Sequence, residues 1–129
     1  MSSIKLQSPS TLLFIDQESG IVDRFKFFKD LNFLDNYEYY KIYLKNKKLA
    51  KVLIFLKSYI TSYYLREWGF HSNTVPVLDV PMHKTAKFIR QRTFGSDLKI
   101  IKKLNNIIVL NNFQFNLIPV IKHIPGHGV

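Results

Sequence analysis

Residues 37–69 read YEYYKIYLKNKKLAKVLIFLKSYITSYYLREWG, and the fold turns on how this stretch is parsed. Its first nine positions alternate. Tyr40, Ile42 and Leu44 point one way; Tyr39, Lys41, Tyr43 and Lys45 point the other. Period two, with aromatic and β-branched side chains, predicts a half-buried strand over 37–45. Asn46 ends that strand and stands where it can cap the next element. From residue 47 the period changes. Leu49, Val52, Leu53, Leu56, Ile60, Tyr63 and Tyr64 recur at three- and four-residue steps. This predicts a helix over 47–68 with one broad apolar stripe, and Lys47, Lys48, Lys51, Ser58 and Ser62 fall largely outside it. Gly69 is a natural helix stop, and Trp68 beside it reads as a helix-end anchor.

Outward from this pair, residues 1–36 differ in charge and composition and read as an N-terminal extension to a domain spanning 37–129. Ser2, Ser3, Ser8, Pro9 and Ser10 loosen its start. Ile21, Phe25, Phe28 and Leu31 sit near helical spacing, with Phe27 and Phe33 off the stripe, which predicts a short docking helix. On the other side, residues 70–95 are extended and basic, because Pro76 and Pro81 forbid a helix. Too few apolar side chains are present there to bury two faces, so a projecting basic hairpin turning at 94–97 is expected. Residues 98–110 fit either a helix capped by Ser96 or a strand returning from that turn. Asn111 and Asn112 break it, residues 113–124 have room for a short helix begun by Asn116, and residues 125–128 form a terminal turn.

The charge is unevenly placed. Residues 1–40 hold four basic and six acidic groups; residues 41–129 hold fifteen basic groups against Glu67, Asp79 and Asp97. A surface with a net charge of +10 repels itself unless anions lie against it, which makes nucleic acid the first partner to consider. Cysteine is absent, which excludes disulfides, thiolate metal sites and thiol catalysis. The longest apolar run, 49–68, is broken by Lys51, Lys57, Arg66 and Glu67, so no membrane span is expected. The N-terminus has the layout of neither a secretory signal nor a transit peptide. Lysine outnumbers arginine 15 to 4, a skew toward residues of AT-rich codons.

The order strand, Gly-ended helix, Pro-marked strand, basic hairpin, short helix and Pro-Gly turn resembles the tenth protein of the small ribosomal subunit, of bacterial and mitochondrial type. The residues carrying the resemblance are Lys41-Ile42-Tyr43-Leu44-Lys45, Gly69, Pro76 to Pro81, Lys87-Phe88, Arg92-Thr93 and the stretch from Val120 to Val129. It implies a ferredoxin-like α+β sandwich with a long projecting basic β-hairpin, in the small-subunit head. The implied partners are ribosomal RNA and neighbouring head proteins, and the implied location is the mitochondrial matrix. The family's last strand has no counterpart, and neither has the extension.

The candidate site rests on charge carried by a slim element: His83, Lys84, Lys87, Arg90, Arg92, Lys99, Lys102 and Lys103 are expected to contact RNA phosphates. A solvated charged surface is the plainer alternative. Tyr39, Tyr43 and Phe94 are candidates for base stacking. His123 and His127 are four apart, but Pro125 and Gly126 break helical chelation and no third ligand is near, so no metal is expected. His71 and His83 have no nucleophile or carboxylate beside them in sequence. The expectation is a structural rRNA-binding protein, not an enzyme, with no cofactor and no small-molecule substrate. A viral or plasmid nucleic-acid-binding protein is the second reading. The third is an accessory subunit of a mitochondrial respiratory complex with the 49–68 helix at the membrane surface.

Overall fold

The structure, a computed structural model, describes residues 10–26, 28 and 31–127. The expectations placed on Ser2, Ser3, Ser8, Pro9, Phe27 and Gly128 lie outside those residues. Three short parallel strands, β1 (Phe14–Ile15), β2 (Ser72–Asn73) and β3 (Ile118–Pro119), lie in the order β1-β2-β3. The register pairs Phe14 with Ser72, Ile15 with Asn73, Ser72 with Ile118 and Asn73 with Pro119. Parallel strands need crossover connections, and helices supply them. These are α1 (Asn36–Lys45), α2 (Lys47–Glu67), the single turn α3 (Lys87–Arg90) and α4 (Leu98–Gln114).

A ferredoxin-like sandwich requires an antiparallel sheet, so the parallel register overturns that expectation. Residues 37–45 are a helix, not a strand. Asp35 caps it, its carboxylate accepting the Glu38 N–H at 2.9 Å, and Tyr39 and Tyr43, one helical turn apart, are buried together. Alternation over nine residues also satisfies a four-residue step, and packing chose the latter. Asn46 does act as a cap: its side chain accepts the Leu49 N–H at 3.0 Å and starts α2.

α2 forms and stops near Gly69, whose φ of 84° suits a residue without Cβ. Its orientation is the reverse of the one expected from its stripe. The buried face is Ala50, Ile54, Lys57, Ser58, Thr61, Ser62 and Leu65, while Leu49, Val52, Leu56 and Tyr63 are exposed. Small side chains on the inner face let α2 approach α4 closely. There Asn111 Nδ2 donates to Ser58 Oγ at 2.5 Å and to the Phe55 carbonyl at 3.1 Å.

Residues 98–114 resolve as a helix, capped by Asp97 rather than Ser96: the Asp97 carboxylate accepts the Lys99 and Ile100 N–H groups. Ile101, Leu104 and Ile108 turn inward to join Tyr39, Tyr43, Ala50, Ile54, Val75 and Phe94 in the main core. Each fully buried aliphatic side chain there contributes about 1.5–3 kcal/mol. A second cluster, Phe25, Leu65 and Leu117, packs with Trp68, whose ring centroid is 5.1 Å from that of Phe25. Residues 21–26 hold a turn in place of the expected helix.

No basic hairpin projects among the described residues. Arg90 donates to the Thr85, Met82 and His83 carbonyls at 2.8, 2.5 and 2.7 Å, drawing 82–90 into a compact turn. Ile89 and Phe94 are buried, so this segment is anchored rather than extended. Asn116 begins no helix; it takes φ 54° and leads into β3, an edge strand where Pro119 sacrifices no ladder bond.

Candidate active site

In open parallel α/β sheets and in barrels, ligands bind at the carboxyl ends of the strands, where loops from several strands converge. Here those ends are unusually charged. β1 runs into Asp16, Gln17 and Glu18, β2 into Thr74, and β3 into Val120, Ile121, Lys122 and His123. Lys122 Nζ contacts the carboxylates of both Asp16 and Glu18, and Thr74 Oγ1 donates to Asp16 Oδ1 at 2.7 Å. Arg92 grips Glu18 with two bonds, Nε to Oε2 at 2.9 Å and the second nitrogen to Oε1 at 2.8 Å. Its guanidinium also lies 3.2 Å from His123 Nε2. On the other edge of that ring, Nδ1 is 2.5 Å from Asp79 Oδ2, and Asp79 Oδ1 accepts the His127 N–H at 2.6 Å.

Asp79 and Glu18 are buried; Asp16 is the open member, its side chain 42% exposed. Partial burial alone would raise the Asp16 carboxyl, but the Lys122 ammonium and the Thr74 hydroxyl outweigh it and hold the group below the usual carboxylate range. The Arg92 guanidinium is pushed above its ordinary value, chiefly by its bonds to Glu18. The loop is held from beneath. Asn73 exchanges two bonds with the Gln17 backbone, at 3.0 and 2.9 Å, and Gln17 Nε2 donates to Asp23 at 2.7 Å. Lys57, buried on α2, donates to Asn36 Oδ1 at 2.9 Å, and Asn36 Nδ2 in turn donates to the Arg92 carbonyl at 2.9 Å. Beside the cluster opens a cleft of about 240 Å³ lined by Asp79, Val80, Met82, His123, Pro125 and Gly126 among others.

Of the residues expected to contact RNA, only Arg92 reaches this cluster. His83 and Lys84 are exposed on the 82–85 turn, Lys87 is exposed on α3, and Arg90 is spent on loop carbonyls. Lys99, Lys102 and Lys103 are exposed on α4. Tyr39, Tyr43 and Phe94 are buried and offer no face for base stacking. His123 and His127 do meet, their ring centroids 5.1 Å apart, yet among the described residues no group of three or more His, Asp and Glu side chains is arranged to hold a metal. Sequence reasoning missed Asp16, Glu18, Asp79, Lys122 and His123. The signal that finds them is a short apolar run ending abruptly in charge: 12–15 before Asp16, 77–78 before Asp79, and 117–121 before Lys122.

A parallel sheet crossed by helices, with its charged residues gathered at the strand ends, defines a protein of the α/β class. The Glycosyl hydrolase family 3 N terminal domain matches residues 5–129, and the chain belongs to that family. Two curated relatives named beta-hexosaminidase, from Nitrosospira multiformis and Hydrogenovibrio crunogenus, are each 30% identical. The alignments cover 95% and 96% of this chain but 35% and 34% of those proteins, so the chain spans about a third of their length. The solved structure of NagZ from Neisseria gonorrhoeae in complex with N-trifluoroacetyl-D-glucosamine has a TM-score of 0.85 at 22% identity. That match covers 98% of this chain and 38% of NagZ. A family 3 glycosyl hydrolase from Mycobacterium smegmatis gives a TM-score of 0.78 at 22% identity, covering 98% of this chain and 38% of its own. These structural neighbours are TIM-barrel-like.

Family membership corrects the functional expectations as a group. The chain is not a ribosomal protein, and neither the rRNA and head-protein partners nor a mitoribosomal location stands. The viral nucleic-acid-binding and respiratory-subunit readings fall with them, and the expectation of a non-enzyme is corrected by homologues that are beta-hexosaminidases, which are enzymes. Order of elements misled because a helix was read as the first strand, and every later correspondence inherited that error.

Proposed function

We propose that this chain contributes the sugar-binding floor of a β-N-acetylhexosaminidase-type glycoside hydrolase. The observation that carries the reading is the alternation of fixed acceptors and donors at the strand ends: Asp16, Lys122, Arg92 and the Asp79-oriented His123. A pyranose presents neighbouring hydroxyls, each both donor and acceptor, and such an alternating set satisfies them without leaving a buried group unpaired. Asp16 is the acceptor open to ligand. Because its carboxyl is held ionised, it is suited to binding and to stabilising positive charge. It is not suited to protonating a leaving group, which requires a raised pKa. Lys122 and Arg92 donate, and His123, fixed at one ring nitrogen by Asp79, is oriented rather than free.

The test is titration of the chain with N-acetylglucosamine, monitored by two-dimensional amide NMR. Shifts are expected at Asp16, Thr74, Lys122 and His123 with affinity on the order of millimolar, with weaker binding of glucose and loss of binding in Asp16→Ala. Shifts absent from the strand ends, or unchanged in Asp16→Ala, would refute the proposal.

A further inference from the structure

Between the inner face of α2, α4 and the loop after β1 lies a small polar cavity, with about 10 Å³ of space open to the centre of a water molecule. Glu18, Lys57, Thr61, Ser62, Asn73 and Asn112 are among its walls. Every residue lining it is buried within this chain, so the cavity does not depend on what covers the outer surface. Three of its walls carry unmet hydrogen-bonding groups. Thr61 Oγ1, Ser62 Oγ and Asn112 Oδ1 are buried and have no partner among the described residues. Their neighbour Ser58 shows the usual remedy, its hydroxyl donating to the Ile54 carbonyl at 2.8 Å, one turn back along the helix. Thr61 and Ser62 make no such bond. Three orphaned groups around one cavity are exceptional, because buried polar atoms in folded proteins almost always find a partner.

We infer that this cavity is a binding site for one internal water molecule, held by Thr61 Oγ1, Ser62 Oγ and Asn112 Oδ1. Size admits nothing larger: about 10–15 Å³ is the least that holds a single water, and three polar partners are the usual number for a buried one. Charge excludes ions. Asn112 Nδ2 donates to the Ile108 carbonyl at 2.8 Å, so the group the amide leaves for the cavity is its oxygen, an acceptor that repels an anion. The Lys57 ammonium lines the same space and repels a second cation. A water molecule meets all three groups at once. It donates to the Asn112 oxygen and to one hydroxyl oxygen, and accepts the proton of the other hydroxyl. So placed, it joins α2 to α4 beside Glu18, within the layer that supports the strand-end carboxylates. The inference is independent of the sugar-binding proposal.

Oxygen-17 relaxation dispersion on the full chain tests this, because it counts water oxygens held longer than molecular tumbling and ignores exchanging hydroxyl protons. Ser62→Val puts methyl groups where the hydroxyl and the water stand. The dispersion amplitude is expected to fall by one water, with an unchanged circular dichroism spectrum. Thr61→Val changes almost no volume and serves should the first variant fail to fold. With one of three partners gone, the residence time of that water should shorten about tenfold. An amplitude unchanged in Ser62→Val, or a residence time unchanged in Thr61→Val, overturns the inference. A melting temperature that rises when potassium replaces choline at constant ionic strength, and no longer rises in Thr61→Val, would make the occupant a cation and equally overturn it.

Discussion

Lys57 is the residue whose replacement tests the interior most sharply. It lies on the buried face of α2, its ammonium donating to Asn36 Oδ1 and standing 5.4 Å over the Tyr39 ring. Burial pushes its pKa down from 10.5 to about 8, against the opposing pull of the Glu18, Asp35 and Asp23 charges. That drop corresponds to about 3 kcal/mol held against the folded state while the group is charged in both states. Below pH 8 the folded and unfolded chains both carry the proton, and the penalty is complete. Between 8 and 10.5 the unfolded chain binds more protons, so stability rises with pH. Tyr39 sets the upper limit. Its hydroxyl is raised by burial to about 12, so above pH 10 the unfolded chain ionises first and stability falls again. The expected signature is a gain of about 2 kcal/mol from pH 8 to 10 in urea unfolding, followed by decline. In Lys57→Met the gain should vanish. At neutral pH the variant should change little, because relief of the buried charge offsets an Asn36 oxygen left unpaired at about 1–3 kcal/mol. A stability that is flat over this range in the native chain, or a rise that persists in Lys57→Met, would refute the assignment.

Two further outcomes rest on the geometry. Glu18→Gln strips the shared anion from Arg92 and Lys122, whose side chains are only 11 and 12% exposed; a loss of about 3 kcal/mol in urea unfolding is expected, and a loss below about 1 would show the pair to be dispensable. Gly20→Ala drives a Cβ into the Asp35 Cβ at φ 59°, so strain and overlap should together cost about 2–4 kcal/mol and unseat the α1 cap. A thermal melt identical to that of the native chain would contradict the close approach of the two loops.

Some of this molecule was legible without coordinates. The helix over 47–67 follows from three- and four-residue spacing, and its limits from Asn46 and Gly69. Residues 98–114 stayed open because Ile100, Ile107 and Val109 suit a strand as well as a helix; the deciding fact is that Ile101, Leu104 and Ile108 meet Ile54 in one core. The charged finger was misjudged for a simple reason. Arg90 and Arg92 count equally in a charge sum, yet one binds backbone carbonyls and the other a buried carboxylate.

The residue order alone determined that α2 forms, where it starts and stops, and that the surface is strongly basic, since these depend on neighbours a few positions apart. Which side of α2 faces inward, and that Asp16, Asp79, Arg92 and His123 share one site, only the tertiary structure decided. Residues brought together across 31 to 106 positions leave no local period to read, and an apolar stripe cannot say whether the core or a partner will cover it.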